Sequence, residues 1–220
     1  MKEVFRIAID GPAGAGKSTM AKLLAKELGI DYIDPGAMYR AVALKLIRTG
    51  TDYSDPEALK KMLDATDVDI SGGHVLLDGE EVEGFIRTPE VSEMASASSA
   101  VLAIREKLVA LQRAMGSRKS VVMDGRDIGT NVLKDAEVKI YLDASPRVRA
   151  ERRAKELAQK GLPCDIDEVE ADIRQRDYRD MHREHNPLAK ADDASVIDSS
   201  YLTIPQVVAV MKAVIEEKCR

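Results

Sequence analysis

The run Gly11-Pro12-Ala13-Gly14-Ala15-Gly16-Lys17-Ser18-Thr19 constrains this chain more than any other feature. It has the form G-x-x-x-x-G-K-[ST]. Before it stands a short apolar, β-branched run, Val4–Ile9, ending at Asp10. After it, Lys17–Leu28 carries Met20, Ala21, Leu24, Ala25 and Leu28 at helical spacing, with Gly29 as a natural stop. Buried strand, glycine loop and helix are thus contiguous. Glycines let successive backbone N–H groups converge on anionic oxygens without side-chain clash. The helix N-terminus adds unsatisfied N–H groups and a positive dipole end. Lys17 would reach the β- and γ-phosphates of a nucleoside triphosphate, and the Ser18 hydroxyl would ligate Mg²⁺. The motif specifies a bound triphosphate and is silent on where the phosphoryl group goes.

The remaining pattern extends this unit into an α/β fold. Asp31–Ile33 reads as a second strand, and Ala37–Ile47 as a helix ended by Gly50. Ser54-Asp55-Pro56-Glu57 has capping-box spacing and opens a short helix. Val68–Val82 contains two hairpin dipeptides, Gly72-Gly73 and Asp78-Gly79, so three short antiparallel strands are expected there as an insertion. Helix is expected from about Pro89 to Met115. Strands follow at Ser120–Met123, Val138–Leu142 and Ala194–Ile197. Helices open at Ser145-Pro146, ending at Gly161, at Asp165-x-x-Glu168, running to about His185, and at Thr203-x-x-Gln206. Alternating elements of this kind predict a parallel sheet with helices on both faces.

Composition narrows the partners. A net charge of −5 gives no general attraction for a nucleic acid polymer or an anionic membrane, so an anionic ligand needs a local cluster of cations. Cys164 and Cys219 have no metal-like spacing and read as free thiols of a reducing compartment. The opening Met-Lys-Glu-Val-Phe-Arg lacks the apolar run of a signal peptide, and the chain reads as cytoplasmic.

Clustered arginines supply the local charge. Arg40 follows the second strand, Arg126 follows a later one in Asp124-Gly125-Arg126-Asp127, and Arg174, Arg176, Arg179 and Arg183 lie on one expected helix with Asp180. Loops after the carboxyl ends of parallel strands face the ligand crevice. An arginine fork grips phosphate bidentately, so such a set implies an acceptor that itself carries a phosphate. Arg147, Arg149, Arg152 and Arg153 open the helix before the turn Lys160-Gly161-Leu162-Pro163, a candidate lid over about 147–165. A phosphate dianion is already nucleophilic, so no general base is required. His74, His182 and His185 have no evident catalytic partner and read as structural or surface residues.

Together these residues resemble the bacterial cytidylate kinases of the nucleoside monophosphate kinase group. The resemblance runs over essentially the whole length. It is carried by Ile9–Ser18, Gly36-Ala37-Met38-Tyr39-Arg40, Ile86–Val91, Asp124-Gly125-Arg126-Asp127-Ile128-Gly129, Lys139–Ala144 and Arg176-Asp177-x-x-Asp180. It implies a P-loop kinase fold in one domain, with core 1–33, 116–146 and 166–220. The monophosphate-binding region would be 34–115, with the hairpin insertion at about 67–83. The implied reaction is transfer of the γ-phosphoryl group of ATP, with Mg²⁺, to CMP and dCMP. ATP would be held by Gly11, Pro12, Ala13, Gly14, Ala15, Gly16, Lys17, Ser18 and Thr19. CMP would meet Arg40, Ser96, Arg105, Arg126, Asp127, Arg176, Asp180 and Arg183. Ser96, Arg126 and Asp127 are implied to read the cytosine, and Arg40, Arg105 and Arg183 to contact the phosphate. Arg176 and Asp180 look like ribose or phosphate contacts. Lys17, Arg126 and Arg152 are the expected catalytic cations, and a monomer is the expected working unit.

Pro35 departs from the family pattern, which usually has Ser or Thr there; a hydroxyl and an N–H are both missing. Two other readings stand beside the first. One is a different small-molecule kinase, acting on UMP or AMP or of the shikimate type. The other is a regulatory nucleotide switch, although the Asn-Lys-x-Asp base-reading segment of GTP switches is absent.

Overall fold

The computed structural model describes residues 4–71, 73–159 and 161–219. Met1-Lys2-Glu3, Gly72 of the first hairpin dipeptide and Lys160 of the basic turn lie outside them. The elements run β1 (Arg6–Asp10), α1 (Lys17–Leu28), β2 (Asp31–Ile33), α2 (Pro35–Thr49), α3 (Pro56–Asp64), β3 (Val68–Ser71), β4 (His74–Leu77), β5 (Glu80–Glu81), α4 (Pro89–Ser98) and α5 (Leu102–Arg118). After these come β6 (Val121–Gly125), a π-helical turn at Ile128–Val132, β7 (Val138–Asp143), α6 (Pro146–Gln159), α7 (Ile166–His182), β8 (Ser195–Asp198) and α8 (Ile204–Lys218). Two compact units result, one of residues 1–32 with 120–220 and one of residues 33–119.

The first unit is built on a five-stranded sheet of order β2-β6-β1-β7-β8, in which β1 pairs in parallel with β6 and β7, and β7 with β8. Ile7 and Ile9 of β1 pack with Val122, Val138, Ile140, Leu142 and Ile197 beneath Met20, Ala21 and Leu24 of α1 and Val207, Val208 and Met211 of α8. Ala8, Val121 and Met123, pointing the other way, are buried too. Burial on both faces is why these strands read as continuous apolar runs rather than as alternating ones. The chain order reverses at β1, and the glycine loop leaves its carboxyl end, the topological position where α/β sheets bind ligands.

The second unit packs α2 through Met38, Val42 and Leu46, with a core that includes Leu59, Val75, Leu77, Ile86, Ile104 and Leu108. Its β3-β4-β5 sheet is antiparallel, as the turn dipeptides predict. Asp78 and Gly79 both take positive φ, 51° and 83°, as a tight hairpin turn requires. Lys45 and Arg48 of α2 reach Asp78 and Glu80 at 2.6 and 2.7 Å.

Three expectations change in detail. The single helix over Pro89–Met115 is two, broken at Ser99–Val101. Ser98 Oγ donates to Met94 O and Ser99 Oγ to Ser96 O, side-chain bonds that compete with the helical ladder. Asp55, not Ser54, caps α3 and accepts from Glu57 N and Ala58 N, because the Ser54 hydroxyl is turned back onto Asp52. The helix expected to run to about His185 stops at His182, with Arg183 extended. Removing the Leu24 side chain, which is fully buried between α1 and the sheet, should cost about 2–5 kcal/mol. Leu24→Ala is checked by urea unfolding; an unchanged midpoint would show that α1 is not held by this core.

Candidate active site

The glycine loop hangs between β1 and α1 on a closely fitted floor. Gly11 has φ +149°, and a Cβ there would lie 2.0 Å from Leu142 O of β7. No other residue fits that approach. Lys17, the first residue of α1, is buried, and its Nζ donates to Pro12 O at 2.7 Å. Burial and the Arg126 charge push the Lys17 ammonium well below its ordinary pKa, while Asp124, Asp10 and Asp180 act in the opposite direction. An incoming polyphosphate would restore the charged form by adding anionic oxygens. Ser18 Oγ donates to Asp124 Oδ2 at 2.8 Å, and Tyr32 Oη donates to Asp124 Oδ1 at 2.7 Å.

Asp10 closes β1 and ties the donor loop to the segment after β6. Its two oxygens accept from Ile128 N at 2.8 Å and Gly129 N at 2.7 Å, at the start of the π-helical turn. Burial raises its carboxyl to about 6, although the two N–H donors and Lys17 favour the ionised form; Asp127 adds to the rise.

Arg126 and Asp127, just beyond β6, lie against the end of α7. Arg126 Nε donates to Asp180 Oδ2 at 2.7 Å. Arg183 Nη2 donates to Asp127 Oδ1 at 2.9 Å, and Asn131 Nδ2 donates to Asp127 Oδ2 at 3.0 Å. Arg183 also grips Asn186 O. Arg126, Asp127, Asp180 and Arg183 therefore form one cluster of two linked ion pairs. Arg176 stands exposed one turn earlier on α7.

The other expected acceptor contacts belong to the second unit. Arg40 Nη2 pairs with Asp34 Oδ2 at 3.2 Å, while its buried Nε has no hydrogen-bond partner. Arg105 lies over the Tyr39 ring at 5.8 Å and donates from Nη1 to Ser99 O, the carbonyl freed at the α4–α5 break. Ser96 is half-buried on α4, and its carbonyl accepts from Ser99 Oγ at 3.0 Å. Pro35 is the first residue of α2, behind an Asp34 cap that accepts from Ala37 N, so the missing N–H is one that a first helical turn leaves over.

The four α6 arginines have separate tasks. Arg147 pairs with Asp167 and Glu170 of α7, and Arg153 with Glu156. Arg152 donates to Ser199 O at 2.6 Å and Ser199 Oγ at 3.2 Å, at the end of β8. Arg149 is the one whose hydrogen bonds reach the glycine loop, at Ala13 O. Sequence reasoning missed four residues here. Asp124 and Asp10 had a readable signal, a carboxylate at the end of a buried strand beside a functional loop. Arg149 and Asp177 had none beyond an undifferentiated basic helix and an RDxxD run.

The donor half has the geometry of a phosphate cradle, and Ser18 beside Asp124 is a pair of hard oxygen donors suited to Mg²⁺. Among the described residues no group of three His, Cys, Asp or Glu forms a metal cage. No helix among the described residues is long and apolar enough to cross a membrane. Comparison with known proteins agrees with the cradle. The family described as cytidylate kinase matches residues 7–217. A cytidylate kinase from Pelotomaculum thermopropionicum is 53% identical, covering 97% of this chain and 96% of its own. One from Lactobacillus johnsonii is 48% identical, covering 98% and 95%. Among solved structures, a shikimate kinase from Bacteroides thetaiotaomicron shares the fold at TM-score 0.50 with 15% identity, covering 96% of this chain and 98% of its own.

Asp10 generates a pH prediction. The native carboxyl, at about 6, binds its proton more tightly than the ordinary 3.8, so the folded state holds more protons between those values. Stability from this group therefore falls as pH rises from 4 to 6 and is constant above. Relative to Asp10→Asn, the unsubstituted protein should gain about 2 kcal/mol as pH drops from 7 to 4. Urea midpoints of both proteins across that range test it; parallel curves would refute it.

Proposed function

This chain belongs to the cytidylate kinase family, and we infer that it transfers the γ-phosphoryl group of ATP to CMP and dCMP, giving ADP and CDP or dCDP. The observation that supports this most is the pair of sites on the first unit: the Lys17 cradle after β1 and the Arg126–Asp180, Arg183–Asp127 cluster after β6. Catalysis of this kind is positioning and charge neutralisation. Residues 11–19 hold the triphosphate through backbone N–H groups. Lys17 moves with the charge that develops on the transferring group. Ser18 and Asp124 would hold Mg²⁺, whose charge supplies further neutralisation on the β- and γ-phosphates.

On the acceptor side, Arg183, Arg40 and Arg105 are proposed phosphate-binding groups, with Arg176 and Asp180 at the ribose or phosphate. The acceptor phosphate attacks as a dianion, so no residue need remove a proton. Asp127, Arg126 and Ser96 are proposed to read the base. A carboxylate only accepts hydrogen bonds, so Asp127 suits the exocyclic amine of cytosine and disfavours the carbonyl that uracil presents at the same place. The segment at about 147–165 is proposed as the lid, moving beyond its Arg149 anchor, with Arg152 leaving Ser199 to meet the phosphates on closure. The working unit is proposed to be a monomer in the cytoplasm.

A coupled ADP-release assay with CMP, dCMP, UMP, AMP or no acceptor tests the reading. Turnover should require CMP or dCMP, and acceptor-independent ADP release would defeat the kinase assignment. Lys17→Ala should abolish that turnover, because the buried cation at the transferring group is lost. Asp127→Asn should lower the preference for CMP over UMP by about tenfold or more, since an amide can donate to the uracil carbonyl. A preference unchanged in a folded Asp127→Asn protein would remove Asp127 from base recognition.

A further inference from the structure

The side chains of Arg149 and Asp177 hold the glycine loop by its backbone at Ala13. Asp177 Oδ1 accepts from Ala13 N at 3.3 Å. Arg149 Nη1 donates to Ala13 O at 2.8 Å. The two side chains are joined to each other, Arg149 Nη2 to Asp177 Oδ2 at 2.7 Å. Arg149 Nε donates to Ala144 O at 2.8 Å, which fixes the guanidinium against the end of β7. Both side chains are nearly buried, Arg149 to 3% exposure and Asp177 to 11%.

A trans peptide is planar, with its C=O and N–H pointing in opposite directions. The peptide joining Pro12 to Ala13 therefore has two ends that are used at once. Its N–H is taken by Asp177, and its C=O holds Lys17 Nζ at 2.7 Å. Rotation of that plane would break both bonds together. The next peptide is held by Arg149 at its carbonyl, so the Gly14 N–H is turned to the opposite side. Gly14 itself has φ +76°, and a Cβ added there would meet Arg149 Cβ at 3.3 Å. Two successive peptide planes of the cradle are thus set from α6 and α7.

We propose that Asp177 and Arg149 are positioning residues for the phosphoryl donor: they orient the Pro12–Ala13 and Ala13–Gly14 peptides and, through Pro12 O, place the Lys17 ammonium. They act through the loop, since each nitrogen of the Arg149 guanidinium already has a protein acceptor. The proposal rests on reading residues 11–19 as the donor site and not on which acceptor is used. α7 also carries Asp180, one turn beyond Asp177, which pairs with Arg126. The donor-loop grip and the Arg126 partner therefore share one helix, but the inference requires the donor alone to respond.

The test uses the full-length protein with Asp177→Asn, which is near-isosteric, Arg149→Lys, which keeps the charge but loses the planar fork, and Asp177→Ala as the stronger change. Calorimetric binding of MgATP in the absence of acceptor reads the loop directly, and steady-state kinetics read the consequence. Asp177→Asn should weaken MgATP binding and lower kcat, each by about tenfold, because one member of a buried charge-assisted network is neutralised. KM for CMP should stay within about twofold, since no acceptor contact is removed. Asp177→Asn combined with Arg149→Lys should lose little more than either alone, because both act on the same pair of peptides. Thermal melts establish that each variant is folded at the assay temperature. A folded Asp177→Asn protein with unchanged MgATP binding and kcat overturns the proposal. So does an equal rise in KM for ATP and CMP, which would mark a general structural role. If the unsubstituted protein binds MgATP but does not phosphorylate CMP, the acceptor reading fails while the binding experiment still decides this one.

Discussion

The parallel register of the central strands is the constraint on which the site depends. Asp10 sits beside Gly125, so β1 and β6 end at one level, and beside Tyr141, two residues before the end of β7. In a parallel sheet the carboxyl ends lie together, and the segments leaving them must share the same space. The glycine loop leaves β1, the Arg126-Asp127 segment leaves β6, and the Ala144-Ser145 link into α6 leaves β7. Gly11 can lie against Leu142 O only because β7 is β1's immediate neighbour and the residue has no Cβ. A one-residue slip of β6 against β1 would carry Asp124 away from Ser18 and Ile128 away from Asp10, dismantling both halves of the site at once.

Charge in this region is neutralised by short pairs rather than by solvent. Arg126 has Asp180, Arg183 has Asp127, Arg149 has Asp177, and Lys17 has a backbone carbonyl with three carboxylates in its vicinity. A cluster of cations this close would otherwise repel itself and weaken the fold. Breaking a buried pair by removing one partner costs far more than an exposed pair contributes. The carboxylates therefore have two roles, holding arginine forks in place when no anion is present and setting the geometry into which an anion fits. The i,i+4 and i,i+3 pairs on α6 and α7, such as Arg174–Glu170 and Arg153–Glu156, are exposed and contribute little by comparison.

How much of this was legible in the sequence followed from how local the determining physics is. The glycine loop, the Thr203–Gln206 capping box, the Asp165 cap and the Asp78–Gly79 turn each depend on a few adjacent residues, and the structure shows each of them. The break between α4 and α5 was not legible, because serine back-bonding and an extended Val101 leave no glycine or proline signal. Asp124 stands within the Asp124-Gly125-Arg126-Asp127 run, yet its bond to Ser18 spans 106 positions and depends on the register of β6 against β1. Arg149 and Asp177 were harder still. Four arginines in seven residues look alike in sequence, and only the packing of α6 on α7 and on the end of β7 separates Arg149 from Arg147, Arg152 and Arg153.

The same separation bears on how a basic helix beside a glycine loop can act. A long basic helix beside a triphosphate is commonly expected to act by presenting its arginines to the phosphates. Here the most buried of them points its whole fork at protein acceptors and meets the loop from behind. A backbone cradle presents N–H groups that cannot be tuned by side-chain substitution, so their orientation must be set by whatever holds the opposite edges of the same peptides. Asp177 and Arg149 occupy those edges. A side chain placed to contact phosphate would compete with solvent and ligand for its hydrogen bonds. One placed behind the loop keeps its partners whether the site is filled or empty, and the cradle is then formed before the nucleotide arrives, which is what electrostatic preorganisation requires.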